Sequence, residues 1–224
     1  MTEQQNVPTA QRPDTPAATW RELRLGNERF ISGKPEHPRQ DIDRRTSLAH
    51  TQRPMVAIFG CSDSRLSAEI IFDVGLGDAF VVRNAGQVVS PSALGSLEYA
   101  VGILHVPVVV VLAHDECGAV RAAIDSQAPD AAPLPSFIGG LVEKIVPAVR
   151  KVAGSSTDAD GAIDPAHVDA GYVGREHLRN TVTELVESSE MISDAIAAGT
   201  LAIVGANYRL FEGRVETDIV LGRI

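Results

Sequence analysis

The sequence is poor in cysteine, poor in positive charge and without a long apolar run. Only Cys61 and Cys117 occur in 224 residues. Two thiols exclude a disulfide-rich scaffold and any site that takes four thiolates from one chain. Lysine and arginine number 20 against 29 aspartates and glutamates, a formal charge of −9. That balance argues against nucleic acid or a membrane surface as partner, since both select a basic face. No segment reaches about 18 uncharged apolar residues, so no transmembrane helix is expected. The first residues lack a basic stretch followed by an apolar one, so no secretory signal is expected either. These absences together read as a cytoplasmic protein, where thiols stay reduced.

What is present is 44% hydrophobic and 22% charged, enough for a core of its own. Residues 1–18, with Pro8, Pro13 and Pro16, read as a flexible lead-in, and residues 19–224 as one domain. Thr19 and Glu22 make a capping-box pair that predicts a helix from Thr19, with Trp20, Leu23, Phe30 and Ile31 on one face and Gly33 at its end. A polar arm follows to residue 50. Four runs, 55–60, 79–82, 106–112 and 201–204, are continuously apolar. That pattern suits strands covered on both faces of a parallel sheet. Helical patterns lie between them at 93–104 and 119–126, with one long helix over 175–198. Residues 137–152 read as a helical excursion, followed by a flexible Gly/Ser/Asp loop. Residues 214–220 alternate and predict an antiparallel edge strand. The expected fold is α/β: a mainly parallel sheet of about four strands plus an antiparallel edge strand, flanked by helices, with an N-terminal helical arm.

Both cysteines fall where such a sheet places its ligands. Cys61 follows the first run and Cys117 the third, at the carboxyl ends of predicted parallel strands. A cytosolic cysteine is commonly a small buried hydrophobe. These two stand in loops instead. His114-Asp115-Glu116-Cys117 sets an imidazole and a thiol three apart, close enough to share one ion. Cys61-Ser62-Asp63-Ser64-Arg65 sets an acid and a base beside the other thiol. Two thiolates, one imidazole and an open fourth position make a catalytic zinc site rather than a closed structural one.

At this point the sequence resembles the β-class carbonic anhydrases over roughly residues 19–222. The resemblance is carried by Leu25-Gly26-Asn27-Glu28-Arg29-Phe30, by Cys61 to Arg65, by residues 77–86 and 96–101, and by His114 to Val120. One departure is Ala113, where the family usually has glycine. The resemblance implies Zn²⁺ on Cys61, His114 and Cys117, and an Asp63–Arg65 dyad that orients a zinc-activated water for attack on CO₂. Two thiolates give the ion more charge than imidazoles would, so activity is expected to favour alkaline pH. The resemblance also implies a substrate pocket of the plant-like subgroup with Gln52, Phe80, Ala85 and Tyr99, where Phe80 and Tyr99 have an equally good core-packing reading. Arg83 matches one residue of an inhibitory bicarbonate site in another subgroup, whereas Ile58 replaces that site's tryptophan. His37, His50, His105, His167 and His177 read as solvated surface residues. The helical arm, with Trp20 and Phe30 exposed, implies self-association as a dimer or tetramer.

Rival readings share parts of this pattern. A carbonyl sulfide or carbon disulfide hydrolase would use the same fold and metal. A non-catalytic zinc or bicarbonate-binding protein would be expected to lose the dyad or a ligand, and all five residues are kept. A dinucleotide site is disfavoured because Gly75-Leu76-Gly77 lacks the third glycine and the helix start that the fingerprint needs. A thiol oxidoreductase is excluded by the absence of C-x-x-C.

Overall fold

A strand turns successive side chains to opposite faces, so a continuously apolar strand needs cover on both. The computed structural model describes residues 13–154 and 163–224 and meets that need with a sheet between two helical layers. Its strands are β1 (Val56–Cys61), β2 (Ala79–Asn84), β3 (Val108–His114), β4 (Ala202–Arg209) and β5 (Arg214–Leu221), in the order β2-β1-β3-β4-β5. The first four run parallel, and β5 pairs antiparallel with β4 at the edge. The helices are α1 (Pro16–Ile31), α2 (Ile42–Ser47), α3 (Ala68–Ile71), α4 (Pro91–Gly102), α5 (Gly118–Asp125), α6 (Ser136–Glu143), α7 (Val146–Ala153), α8 (Ala170–Ser188) and α9 (Glu190–Ala197).

The pleat sorts the core. Val56, Ile58, Val108, Val110 and Leu112 meet α1, α3, α5 and α7 on one face. Ala57, Phe59, Val109 and Val111 meet α4, α8 and α9 on the other. Burying each large side chain among these contributes about 1.5–3 kcal/mol.

Several element ends differ from the sequence expectation. Helix α1 starts at Pro16, not Thr19, because the Thr15 side chain accepts from the Ala18 N–H at 3.3 Å and proline fits the first helical position. Thr19 is therefore buried inside the first turns. Trp20 is 5% exposed and edge-on to Phe72, with ring centroids 6.5 Å apart, so α1 covers its own sheet and Trp20 is not free for a partner. The helix read over 175–198 begins earlier and breaks in two. Ser189 leaves the helical region at φ −136°, accepts from the Ile192 N–H and donates to Glu98 Oε1 at 2.7 Å. The excursion read over 137–152 is likewise split, with Pro147 in the first turn of α7. Residues 1–12 of the lead-in and 155–162 of the loop lie outside the described residues.

The polar arm is fastened by two buried aspartates. Asp73 accepts from Arg29 Nε at 2.6 Å and from the N–H groups of Glu36 and His37, each at 2.9 Å. Asp78 accepts from Arg39 Nε at 2.7 Å and the Gly75 N–H at 2.8 Å. Burial works against the charge of Asp73. The Glu36 N–H, the Arg29 guanidinium and the His37 N–H outweigh it, so its pKa lies below the ordinary aspartate value.

Candidate active site

Parallel neighbours end on the same side of a sheet. The β1–β3 register pairs Gly60 with Leu112, which brings Cys61 and His114 out at one end. The chain then turns sharply through Glu116, whose φ is +51°, and sets Cys117 as the residue capping α5. One imidazole nitrogen and the two Sγ atoms lie within 4.8 Å of one another. Cys61, His114 and Cys117 are all buried and both thiols are free.

The donor set fits a metal ion. His114 Nδ1 lies 2.7 Å from the Asp115 carbonyl, which only accepts, so Nδ1 carries the proton. The other nitrogen, Nε2, is buried without a hydrogen-bond partner. A buried bare nitrogen beside two thiols is costly unless a cation takes its lone pair. The thiols show the same strain. The neighbouring Cys117 sulfur, His114 and the Gly86 N–H lower the Cys61 pKa against the effect of burial, while Cys61 and burial raise that of Cys117. A divalent cation bound there would let both sulfurs be thiolates.

Asp63 stands two residues past Cys61 and is clasped by Arg65. The guanidinium donates from Nη2 to Oδ2 at 2.7 Å and from Nε to Oδ1 at 2.9 Å, and the Arg65 N–H adds 2.9 Å to Oδ1. The Arg65 fork, its N–H and the nearby His114 hold the Asp63 carboxyl well below the usual carboxylate range. Arg65 Nη2 also reaches the Glu116 carbonyl at 3.1 Å, which ties the two metal loops together. Arg83, read from the sequence as half of an inhibitory-site match, donates to the carbonyls of Cys61 at 2.9 Å and Asp63 at 2.7 Å. It straps the loop that carries the dyad.

The four pocket candidates are dispersed. Ala85 follows β2 next to Gly86, whose N–H touches Cys61. Gln52 is exposed before β1, and β1 carries the chain roughly 17 Å before reaching Cys61. Phe80 pairs in register with Ala57, four positions short of Cys61, and faces Tyr99 with ring centroids 6.2 Å apart. Tyr99 is 46% exposed. Within one chain, Gln52, Phe80 and Tyr99 thus lie away from the thiol cluster. His177, read as a solvated residue, is 3% exposed instead and contacts the Gly86 carbonyl at 2.7 Å. Its partner is 91 residues away in sequence, so no local pattern signals the contact.

Thiols and imidazole gathered at the carboxyl end of a parallel sheet, beside an oriented carboxylate, define a zinc-dependent α/β enzyme. The family model described as "Carbonic anhydrase" matches residues 56–215. The carbonic anhydrase of Mycolicibacterium smegmatis is 46% identical over 213 residues, covering 93% of this chain and 96% of that one. Carbonic anhydrase 2 of Mycobacterium tuberculosis is 45% identical, covering 95% and 98%. A tetrameric β-carbonic anhydrase from Sordaria macrospora has the same fold, with a TM-score of 0.68, 22% identity, and coverage of 91% of this chain and 99% of that one. The chain belongs to the β-class carbonic anhydrases, and its Cys61, His114 and Cys117 group is positioned for the zinc that this class uses.

Proposed function

We propose that the protein hydrates CO₂ reversibly to bicarbonate and a proton, with Zn²⁺ held by Cys61, His114 and Cys117. The observation that carries this reading is the three-ligand group standing beside the Asp63–Arg65 clasp. When bound, Zn²⁺ supplies Lewis acidity that brings the pKa of a water towards neutrality. Asp63 does the aiming. Ionised and fixed by two guanidinium bonds, it can only accept, so it takes a hydrogen bond from the attacking water and turns a lone pair towards the carbon of CO₂. As the new C–O bond would form at that lone pair, one C=O π pair moves onto a CO₂ oxygen to give bicarbonate, and the proton from the water's broken O–H bond leaves to solvent. Arg65 keeps Asp63 in place because its second anchor, the Glu116 carbonyl, lies on the loop between His114 and Cys117.

The protein works as a dimer or tetramer in this proposal. Phe211 is 98% and Phe137 92% exposed, apolar surface that a second copy would cover. Gln52, Phe80 and Tyr99 would reach substrate only at a neighbouring subunit's site, since they lie away from Cys61 of their own chain. Among the described residues no helix is long and apolar enough to cross a membrane. A cytoplasmic location suits the two free thiols.

The test measures zinc per chain and CO₂ hydration in the native protein and in Cys61→Ser, with carbonyl sulfide as a parallel substrate. About one zinc per chain and rapid hydration of CO₂ are expected in the native protein, with both lost in the variant. Metal-free native protein, or faster turnover of carbonyl sulfide than of CO₂, would overturn the reading.

A further inference from the structure

His177 sits on α8, outside the ligand group, yet a short chain of contacts joins it to Cys61. Its Nε2 is 2.7 Å from the Gly86 carbonyl. A carbonyl only accepts, so Nε2 carries the proton. The other nitrogen, Nδ1, is buried with no partner among the described residues. An apolar side chain of similar size would fill the space without a bare nitrogen, so packing alone is a poor account of a histidine here.

The turn it holds is demanding. Gly86 and Gln87 are consecutive left-handed residues at φ +78° and +42°, both buried. A Cβ on Gly86 would meet Ile145 Cδ1 at 2.9 Å and Ala119 Cβ at 3.0 Å, so only glycine fits. Asn84 closes the turn from inside, donating to the Val88 carbonyl at 2.8 Å and accepting the Val88 N–H at 2.9 Å. Thr181, one helical turn beyond His177, adds a long 3.5 Å contact to the Gln87 carbonyl. The turn presents the Gly86 N–H, which donates to Cys61 Sγ at 3.3 Å.

We propose that His177 is a positioning residue for the metal centre: by holding the Gly86 carbonyl, it fixes the Gly86 N–H on the Cys61 sulfur and so sets how strongly that thiolate donates to zinc. The inference rests on Cys61 being a zinc ligand. An N–H···S bond draws electron density from the sulfur, so losing it makes the thiolate a stronger donor and the ion a weaker Lewis acid. The hydrogen bond also pre-organises Cys61, so losing it loosens the metal.

Cobalt substitution separates the two claims. The native protein is expected to show a thiolate-to-cobalt charge-transfer band that is reduced in Cys61→Ser. No such band in the native protein would overturn the ligand reading and this inference with it. In His177→Leu the band is expected to move to longer wavelength, zinc to leave to a chelator about 10-fold faster, and the pH profile of CO₂ hydration to move upward. His177→Gln, which keeps an N–H donor, is expected to recover all three readouts towards native values. An unchanged band and release rate in His177→Leu would overturn the positioning role alone. So would equal losses in the leucine and glutamine variants, which would mark a packing effect. Should the leucine variant not fold, the native cadmium-113 protein carries the test. A coupling between the Gly86 amide proton and the metal, with His177 in the Nε2–H form, supports the proposal. No coupling, or the Nδ1–H form, overturns it.

Discussion

Asp63 and Asp73 are both clasped by an arginine, at 2.7 Å and 2.6 Å, and both are held below the ordinary aspartate pKa. Their surroundings differ. The Asp73 side chain is 1% exposed, and its other bonds come from the backbone of the arm, at Glu36 and His37. The Asp63 side chain is 18% exposed, and its clasp is built within one loop. Asp73 therefore joins distant segments, while Asp63 is aimed beside the thiol cluster. In the proposed mechanism the same pair of side chains serves stability in one place and chemistry in the other, and burial with the identity of the third partner decides which.

Asparagine at each position separates the two roles. In Asp63→Asn, CO₂ hydration is expected to fall about 10²-fold or more, because one accepting oxygen becomes an NH₂ donor and the negative charge that holds the Arg65 fork is lost. Zinc content and melting temperature should stay near native. Stopped-flow rates beside metal analysis check this, and loss of zinc would assign Asp63 a structural part.

In Asp73→Asn the order reverses. Unfolding free energy is expected to drop by about 3 kcal/mol, since the half-buried Arg29 guanidinium and the Glu36 and His37 N–H groups lose a buried charged acceptor. Activity per folded molecule should hold. Urea unfolding, followed by rates at low urea, reads both. A stable variant with low activity would erase the contrast.

The smallest effect is in acid. A carboxyl whose folded pKa is depressed contributes stability above the unfolded value near 4, and that contribution is lost as pH falls through the folded value. Native melting temperature should therefore decline as pH drops below about 4. The decline should be shallower in Asp73→Asn, which has no carboxyl to protonate. Parallel slopes in the two proteins would show that Asp73 does not carry this part of the acid sensitivity.

The clustering of Cys61, His114 and Cys117 was legible because each stands within a few residues of a strand end, and strand ends follow from apolar runs. Cys61 and His114 close β1 and β3, and Cys117 follows after one turn. The Asp63–Arg65 clasp was legible because it is local, two residues apart. Contacts across the fold were not. His177 and Gly86 are 91 residues apart and Ser189 reaches Glu98 over the same span, so neither the buried histidine nor the break after α8 has a local sign. Trp20 looked exposed on an isolated helix because nothing in its own segment announces Phe72. The start of α1 was misplaced for a local reason: Thr19–Glu22 satisfies the capping-box pattern, but Thr15 caps the helix one turn earlier, with Pro16 in its first turn.

The two cysteines stand 56 residues apart in sequence (117 − 61), Cys61 closing β1 and Cys117 standing one turn past the end of its neighbour β3. An ion shared between them is a cross-link as well as a reagent. It ties shut a long loop that the unfolded chain would otherwise leave open, and with it β2, α3 and α4 that the loop contains. With zinc held as proposed, the centre of the sheet would be chained to the metal, and emptying the site should loosen this loop at the moment it removes the chemistry.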